Sequence, residues 1–222
     1  MSAHEPPPFN LTEEDRQLLS QTDDEFVCHD WENLKDIVAR NDLGALKRKP
    51  SDLLRYIAWS NRIKAEYGSI TNYICRERLR WHQSTPADNN DNNNTVIQFN
   101  NPTPFADAAD YKILRNDWPY GLAKGITHLV VWTKTPIAVK PEDGDVTDES
   151  RALIDDFVTR TFVARLQHDP RFCADEAKDH VLWFKNWAAL QSVRSLEHVH
   201  VLVRDVPEDI ITEWTGEEGV VR

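Results

Sequence analysis

The sequence predicts an α+β fold, with N-terminal helices packed on a small, mainly antiparallel sheet and a crossing helix. Three observations carry this reading: apolar residues recur at helical spacing in the first third, short β-branched runs dominate later, and only 7 glycines occur in 222 residues. The two periods mark different element types. The scarcity of glycine argues against a β-sandwich or cupin-like barrel, and the order of helices, then strand, helix, strand, strand and a short terminal helix suits an α+β domain.

Residues 1–11 are Pro-rich and expected to be disordered, leaving 12–222 as a single domain. Thr12-Glu13-Glu14 opens a helix, and Asp30 caps another through "WENLKDIVAR". The clearest helix follows Pro50: Ser51 is its expected cap, and Leu54, Ile57, Ala58 and Ile63 recur at roughly helical spacing up to Gly68. Ser69 restarts a helix through "SITNYICRERLRW". An Asn-rich stretch at about 84–104 then reads as a long loop, either disordered or a lid. "ITHLVVWTK" (126–134) is a strand, "SRALIDDFVTRTFVARLQ" a helix with Ile154, Val158, Phe162 and Leu166 on one face, and "HVLWFK" and "HVHVLV" are strands. A short helix follows Pro207.

A net charge of -11 and a mean hydropathy of -0.60 describe an acidic, soluble chain. No leader or apolar span of about 18 residues is visible, so a cytoplasmic protein without a membrane span is expected. Cys28, Cys75 and Cys173 match no disulfide framework or zinc knuckle, which favours a reducing compartment and thiols. The acidity hides a reversal. Between residues 40 and 80, ten basic side chains face four acidic ones, so that segment is +6 and the remainder -17. Lys47, Arg48, Lys49, Arg55, Arg62, Arg76, Arg78 and Arg80, interleaved with Tyr56, Trp59, Tyr67, Tyr73 and Trp81, form a pattern suited to phosphates and stacked bases. It is equally readable as a solvated helix face. The overall acidity argues against indiscriminate nucleic-acid binding, DNA included, but allows a local contact such as one end of a tRNA.

The candidate chemistry centres on His198 and His200. Residues i and i+2 of a strand share a face, so both imidazoles project together while Val199 and Val201 turn to the core. Such a pair can share a proton or join a nucleophile to a phosphate-binding group, or it can simply be packing. No third ligand stands at a diagnostic spacing, so no metal and no other cofactor is expected. Two further groups of polar residues accompany the pair. "RNDWPYGLAKG" (115–125) gathers Arg115, Asp117, Tyr120 and Lys124 at a turn, and "FKNWAALQSV" supplies Lys185, Asn186, Gln191 and Ser192.

Two resemblances arise at these residues. Asn186, Gln191-Ser192-Val193 and His198-Val199-His200 resemble the histidine-triad nucleotide hydrolases and transferases, with a longer segment between Val193 and His198 and with Leu196 near the place of the first histidine. That likeness implies His198 as nucleophile and His200 as phosphate contact. The blocks "DDEFVCHDWENLKDIVARNDLGALKRKPSDLLRYIAWSNRIKAEYGSITNYI", "NDWPYGLAKGITHLVVWTK" and "VLWFKNWAALQSVRSLEHVHVLVRD" resemble the fungal family named for an N-acetylglucosamine-induced protein. Some of its members are arginine-containing cyclodipeptide synthases, so the resemblance implies a diketopiperazine-forming transferase whose partners are arginyl-tRNA and a second amino acid or aminoacyl-tRNA. Asp117, Asp155 and Asp156 would then face the guanidinium, His198 or His200 would be the base, and Lys185, Asn186 and Tyr120 would be donors. Arg115, Trp132 and Gln191 would line the substrate site, and Ser192 would be a nucleophile if an acyl-enzyme forms. An Asp-Asp-x-x-Glu motif associated with those synthases is not completed by Asp155-Asp156 or by Asp23-Asp24. A histidine-triad-like phosphohydrolase and a non-enzymatic N-acetylglucosamine-response protein are the alternatives.

Overall fold

A computed structural model describes residues 12–81, 97–187, 190, 191, 193 and 195–218. The expected elements are present, with one strand more. Helices α1 (Glu13–Leu19), α2 (Trp31–Ala39), α3 (Pro50–Tyr67) and α4 (Ile70–Tyr73) come before strands β1 (Tyr111–Arg115) and β2 (Ile126–Thr133). Helices α5 (Asp148–Val158) and α6 (Ala164–Gln167) follow, then β3 (Val181–Phe184), β4 (Glu197–Arg204) and α7 (Glu208–Thr215).

Thr12, Asp30 and Ser69 each accept a backbone N–H as N-caps, Thr12 in a reciprocal capping box with Asp15. At α3 the expected cap is corrected. The helix starts at Pro50 behind Lys49, because the fixed φ and missing N–H of proline suit the first helical position. Ser51 instead donates its backbone N–H and hydroxyl to the Asp23 carboxylate, at 2.9 and 2.6 Å. The helix expected through Trp81 ends earlier: α4 passes into a π-helical turn, Ile74–Leu79, and Arg80 takes a left-handed conformation at φ 60°. A second π-helical turn, Thr159–Val163, joins α5 to α6. It answers the spacing of Ile154, Val158, Phe162 and Leu166. Each four-residue step overshoots a 3.6-residue turn by about 40°, and one wider turn absorbs the drift and keeps all four buried.

The sheet has the order β1-β2-β4-β3, with every neighbouring pair antiparallel. Both faces are covered. Leu129, Val131, Val199, Val201 and Val203 pack with Ile154, Phe157 and Phe162 and with Ile210 and Ile211 of α7. On the other face, Leu114, Val130 and Trp132 meet Ile63, Ile70 and Ile74, while Phe184 and Leu202 meet Trp31, Leu34 and Ile37 of α2. Burial on both sides explains why β2 and β4 read as almost continuous apolar runs. The edge strand β1 escapes the sequence reading because "YKILR" buries only Ile113 and Leu114, too little for an alternation to register.

Much of the expected Asn-rich loop, residues 82–96, lies outside the described residues, as do residues 1–11. Its later end is anchored: Asn100 and Asn101 donate backbone N–H groups to the buried Asp110 carboxylate at 2.8 to 2.9 Å. Among the described residues, no helix is long and apolar enough to cross a membrane.

Candidate functional site

A cavity of about 460 Å³ lies between the sheet and the N-terminal helices. Its floor is the sheet face carrying Leu114, Val130, Trp132, His198 and His200; Leu53, Tyr56 and Trp59 of α3 roof it, and the segment from Arg115 to Tyr120 forms one side. Backbone bonds tie this side to the segments that lead into α2 and α3. Gly121 donates to the Lys47 carbonyl and accepts from the His29 N–H, both at 2.8 Å. A Cβ at Gly121 would lie 2.3 Å from the Phe26 ring, so this close approach requires glycine.

Strand alternation puts His198 and His200 on the cavity face, opposite Trp132 and Val130 of β2. The same parity brings in a third imidazole, His128, two residues before Val130. His128 Nε2 lies 2.9 Å from His200 Nδ1, and His200 Nε2 lies 3.2 Å from Asn186 Nδ2. An amide nitrogen only donates, so Asn186 donates to His200 Nε2, and His200 Nδ1–H in turn donates to His128 Nε2. Asn186 Nδ2 also donates to the Tyr120 hydroxyl at 3.2 Å. Asn186 Oδ1 is buried without a partner among the described residues.

His198 stands apart from that chain. Its Nδ1 is 2.8 Å from the Leu196 carbonyl oxygen, which only accepts. Nδ1 therefore carries the proton, and Nε2 keeps its lone pair with no protein partner among the described residues. The Trp132 ring packs 4.7 Å from the imidazole. Burial pushes His198 down to about 4, with the Lys185 charge adding to the effect and the Leu196 bond opposing it. His128 falls to about 3 through burial and the nearby Arg48 and His198, and burial lowers His200 well below the ordinary range. At neutral pH all three rings are uncharged. Among the described residues, no group of three His, Cys, Asp or Glu side chains is placed to hold a metal ion.

The structure gathers some of the expected site residues and separates others. His198, His200, Asp117, Tyr120, Asn186, Arg115, Trp132 and Gln191 line the cavity. Gln191 braces Asn186 by donating to its carbonyl at 2.6 Å. Lys185 does not line the cavity; it is buried in an ion pair with Glu197 at 3.2 Å. Asp155 and Asp156 are exposed on α5, across the sheet, where Asp155 accepts from the Trp183 indole at 2.7 Å and Asp156 pairs with Arg160. Their helix packs on the face opposite the histidines, so they cannot share a ligand with them. Ser192 lies outside the described residues.

The basic segment divides in the same way. Lys47, Arg48 and Arg78 reach the cavity wall. Arg78, on the π-helical turn, makes a two-pronged bond to Asp117 at 2.8 and 2.9 Å and reaches Glu217 at 2.5 Å. Those carboxylates hold its guanidinium above the ordinary range against the opposing effect of burial. Arg55 pairs with Asp52 and Arg80 with Glu77, Arg76 lies over Tyr67, and Arg62 is exposed. Lys49 borders a neighbouring cavity that shares Arg78, Asp117 and Tyr120. His128 and Asn116 are the site residues that sequence reading missed. The available signal for His128 was a lone histidine in the apolar run "ITHLVVWTK", in phase with Trp132.

This cavity belongs to a recognisable class of chain. The chain is a member of the family described as "Protein of unknown function (DUF3605)", which matches residues 30–204. It is similar to N-acetylglucosamine-induced protein 1 of Candida albicans, 28% identical over 198 residues that span 86% of this chain and 74% of that protein. An uncharacterized protein of Saccharomyces cerevisiae is 29% identical over 188 residues, 85% of each chain. The crystal structure of a protein named HTC1 superposes with a TM-score of 0.59 at 28% identity, covering 81% of this chain and 86% of that one. The family match spans every strand and α2 to α6, and the likeness to the fungal N-acetylglucosamine-induced protein is shown over most of the chain.

Proposed function

We propose that the protein is a phosphohydrolase or phosphoryl transferase of the histidine-triad kind, acting on a nucleoside phosphate derivative, with His198 as nucleophile. The observation that carries this reading is the Leu196 carbonyl fixing the proton on His198 Nδ1, which leaves the Nε2 lone pair unengaged by the described residues on a ring that lines the cavity. An imidazole lowered to about 4 is uncharged at neutral pH, so no deprotonation precedes attack.

In the proposed reaction, Nε2 attacks phosphorus and the bond to the leaving amine or oxygen breaks, its electron pair departing with that group, which takes a proton from water. Water then attacks the phosphohistidine, the P–N bond returns its pair to Nε2, and one proton is released. Tyr120 accepts from Asn186 and so keeps its own hydroxyl hydrogen for a phosphoryl oxygen, where a preorganised donor favours developing charge. The bases Tyr56, Trp59 and Trp118 would meet are planar rings; these aromatics form one mutually packed wall, with centroids 5.4 to 5.9 Å apart.

The arginyl-tRNA reading asks for an unengaged carboxylate in the cavity. Asp117 carries Arg78, and Asp15 serves the α1 capping box. Phosphoryl transfer makes no such demand and is preferred. Incubation with a nucleoside 5′-phosphoramidate should release the nucleoside monophosphate in proportion to enzyme. If an expressing host instead accumulates arginine-containing cyclodipeptides and no monophosphate is released in vitro, the reading is wrong.

A further inference from the structure

Arg48 is the cavity cation that differs from its neighbours. Lys47 pairs with Glu14, Arg78 with Asp117 and Glu217, and Arg115 with Glu208. Among the described residues, no carboxylate pairs with Arg48. Its position is nevertheless fixed. The guanidinium carbon lies 4.5 Å from the centre of the Tyr56 ring and 5.6 Å from that of Tyr120, and Nε donates to the Trp118 carbonyl at 3.2 Å. With Nε engaged, both terminal nitrogens keep their hydrogens, and the two rings flank the group. A guanidinium held in this way is prepared for two-pronged binding of a tetrahedral anion, with little ordering left to do. The histidines beside it, His128 and His200, are uncharged, so they do not compete with it for that anion.

We infer that Arg48 forms an anion subsite within the cavity and binds a second phosphoryl group of the ligand, adjoining the one presented to His198. The ligand class is therefore a phosphoanhydride, with two linked phosphates spanning the space between His198 and Arg48. This rests on the phosphoryl-transfer reading for the role of His198, but the subsite itself can be tested without turnover. A volume of about 460 Å³ accommodates such a ligand. The nearby carboxylate Asp117 is already neutralised by Arg78 through its two-pronged bond and so does not cancel the Arg48 charge.

The test uses the full-length protein and inorganic pyrophosphate as probe, with inorganic phosphate for comparison. Binding is read by titration calorimetry and by intrinsic tryptophan fluorescence, to which Trp59, Trp118 and Trp132 at the cavity contribute. Wild type should bind pyrophosphate at least about 10-fold more tightly than phosphate. Arg48→Gln should lose roughly 10- to 100-fold in pyrophosphate affinity, the scale of charge-assisted hydrogen bonds, and should weaken phosphate as well, since the other cavity cations are paired with carboxylates. Arg48→Lys keeps the charge without the planar fork; it should fall between the two and guards against a folding defect in the glutamine variant. Equal pyrophosphate affinity in wild type and both variants would overturn the subsite, as would a wild type that does not distinguish the two probes. Arg48-dependent pyrophosphate binding by a protein that cleaves no phosphoramidate would support the subsite and refute the hydrolase.

Discussion

His198→Ala is expected to lower release of nucleoside monophosphate by at least about 10³-fold, with little change in substrate affinity. The imidazole supplies the attacking atom, and losing a nucleophile removes bond formation in the transition state rather than ground-state binding. His200→Ala should cost less, because His200 Nε2 is engaged by Asn186 and acts through the chain that places Tyr120 and Asn186. The comparison requires that both variants fold, which melting curves establish. A His198→Ala enzyme with wild-type kcat would make the ring a packing group against Trp132.

The second large effect is on stability in mild acid. His128, His198 and His200 are buried and uncharged in the folded protein, with folded-state values of about 3 for His128, about 4 for His198 and well below the ordinary range for His200. In the unfolded chain each titrates near about 6.5. Below that pH the unfolded state binds more protons, so the stability present above it is progressively lost as pH falls towards the folded-state values. Each ring contributes a slope of about 1.4 kcal/mol per pH unit, and three together about 4 kcal/mol per unit near pH 5. Urea titrations from pH 7.5 to 5.0 should show this decline, and His128→Gln should remove about a third of the slope whatever it does to stability at pH 7.5. An unchanged slope in that variant would mean that His128 is not buried uncharged.

Particular residues show how far the sequence could be read. Helix caps at Thr12, Asp30 and Ser69 were legible because capping is a local hydrogen bond between residues three apart. The common face of His198 and His200 was legible because strand alternation is local too. Pairing across strands was not. Nothing in "ITHLVVWTK" states that its histidine lies beside His200, since that follows from the β2–β4 register. The resemblance to the synthases implies Asp155 and Asp156 at the guanidinium, but only the packing of α5 on the sheet places them on the far face. Arg48 and Arg78 looked like two members of one basic block. The fold gives Arg78 to Asp117 and Glu217 and leaves Arg48 between two tyrosines.

The most direct test of the central claim is to trap the covalent intermediate. Rapid mixing with a nucleoside 5′-phosphoramidate, followed by an alkaline quench that preserves phosphohistidine, should yield intact protein heavier by one nucleoside phosphoryl group. Peptide mapping should place that group on His198, and His198→Ala should show no adduct. An adduct on another residue, or substrate turnover in which no adduct forms on His198, would contradict the account.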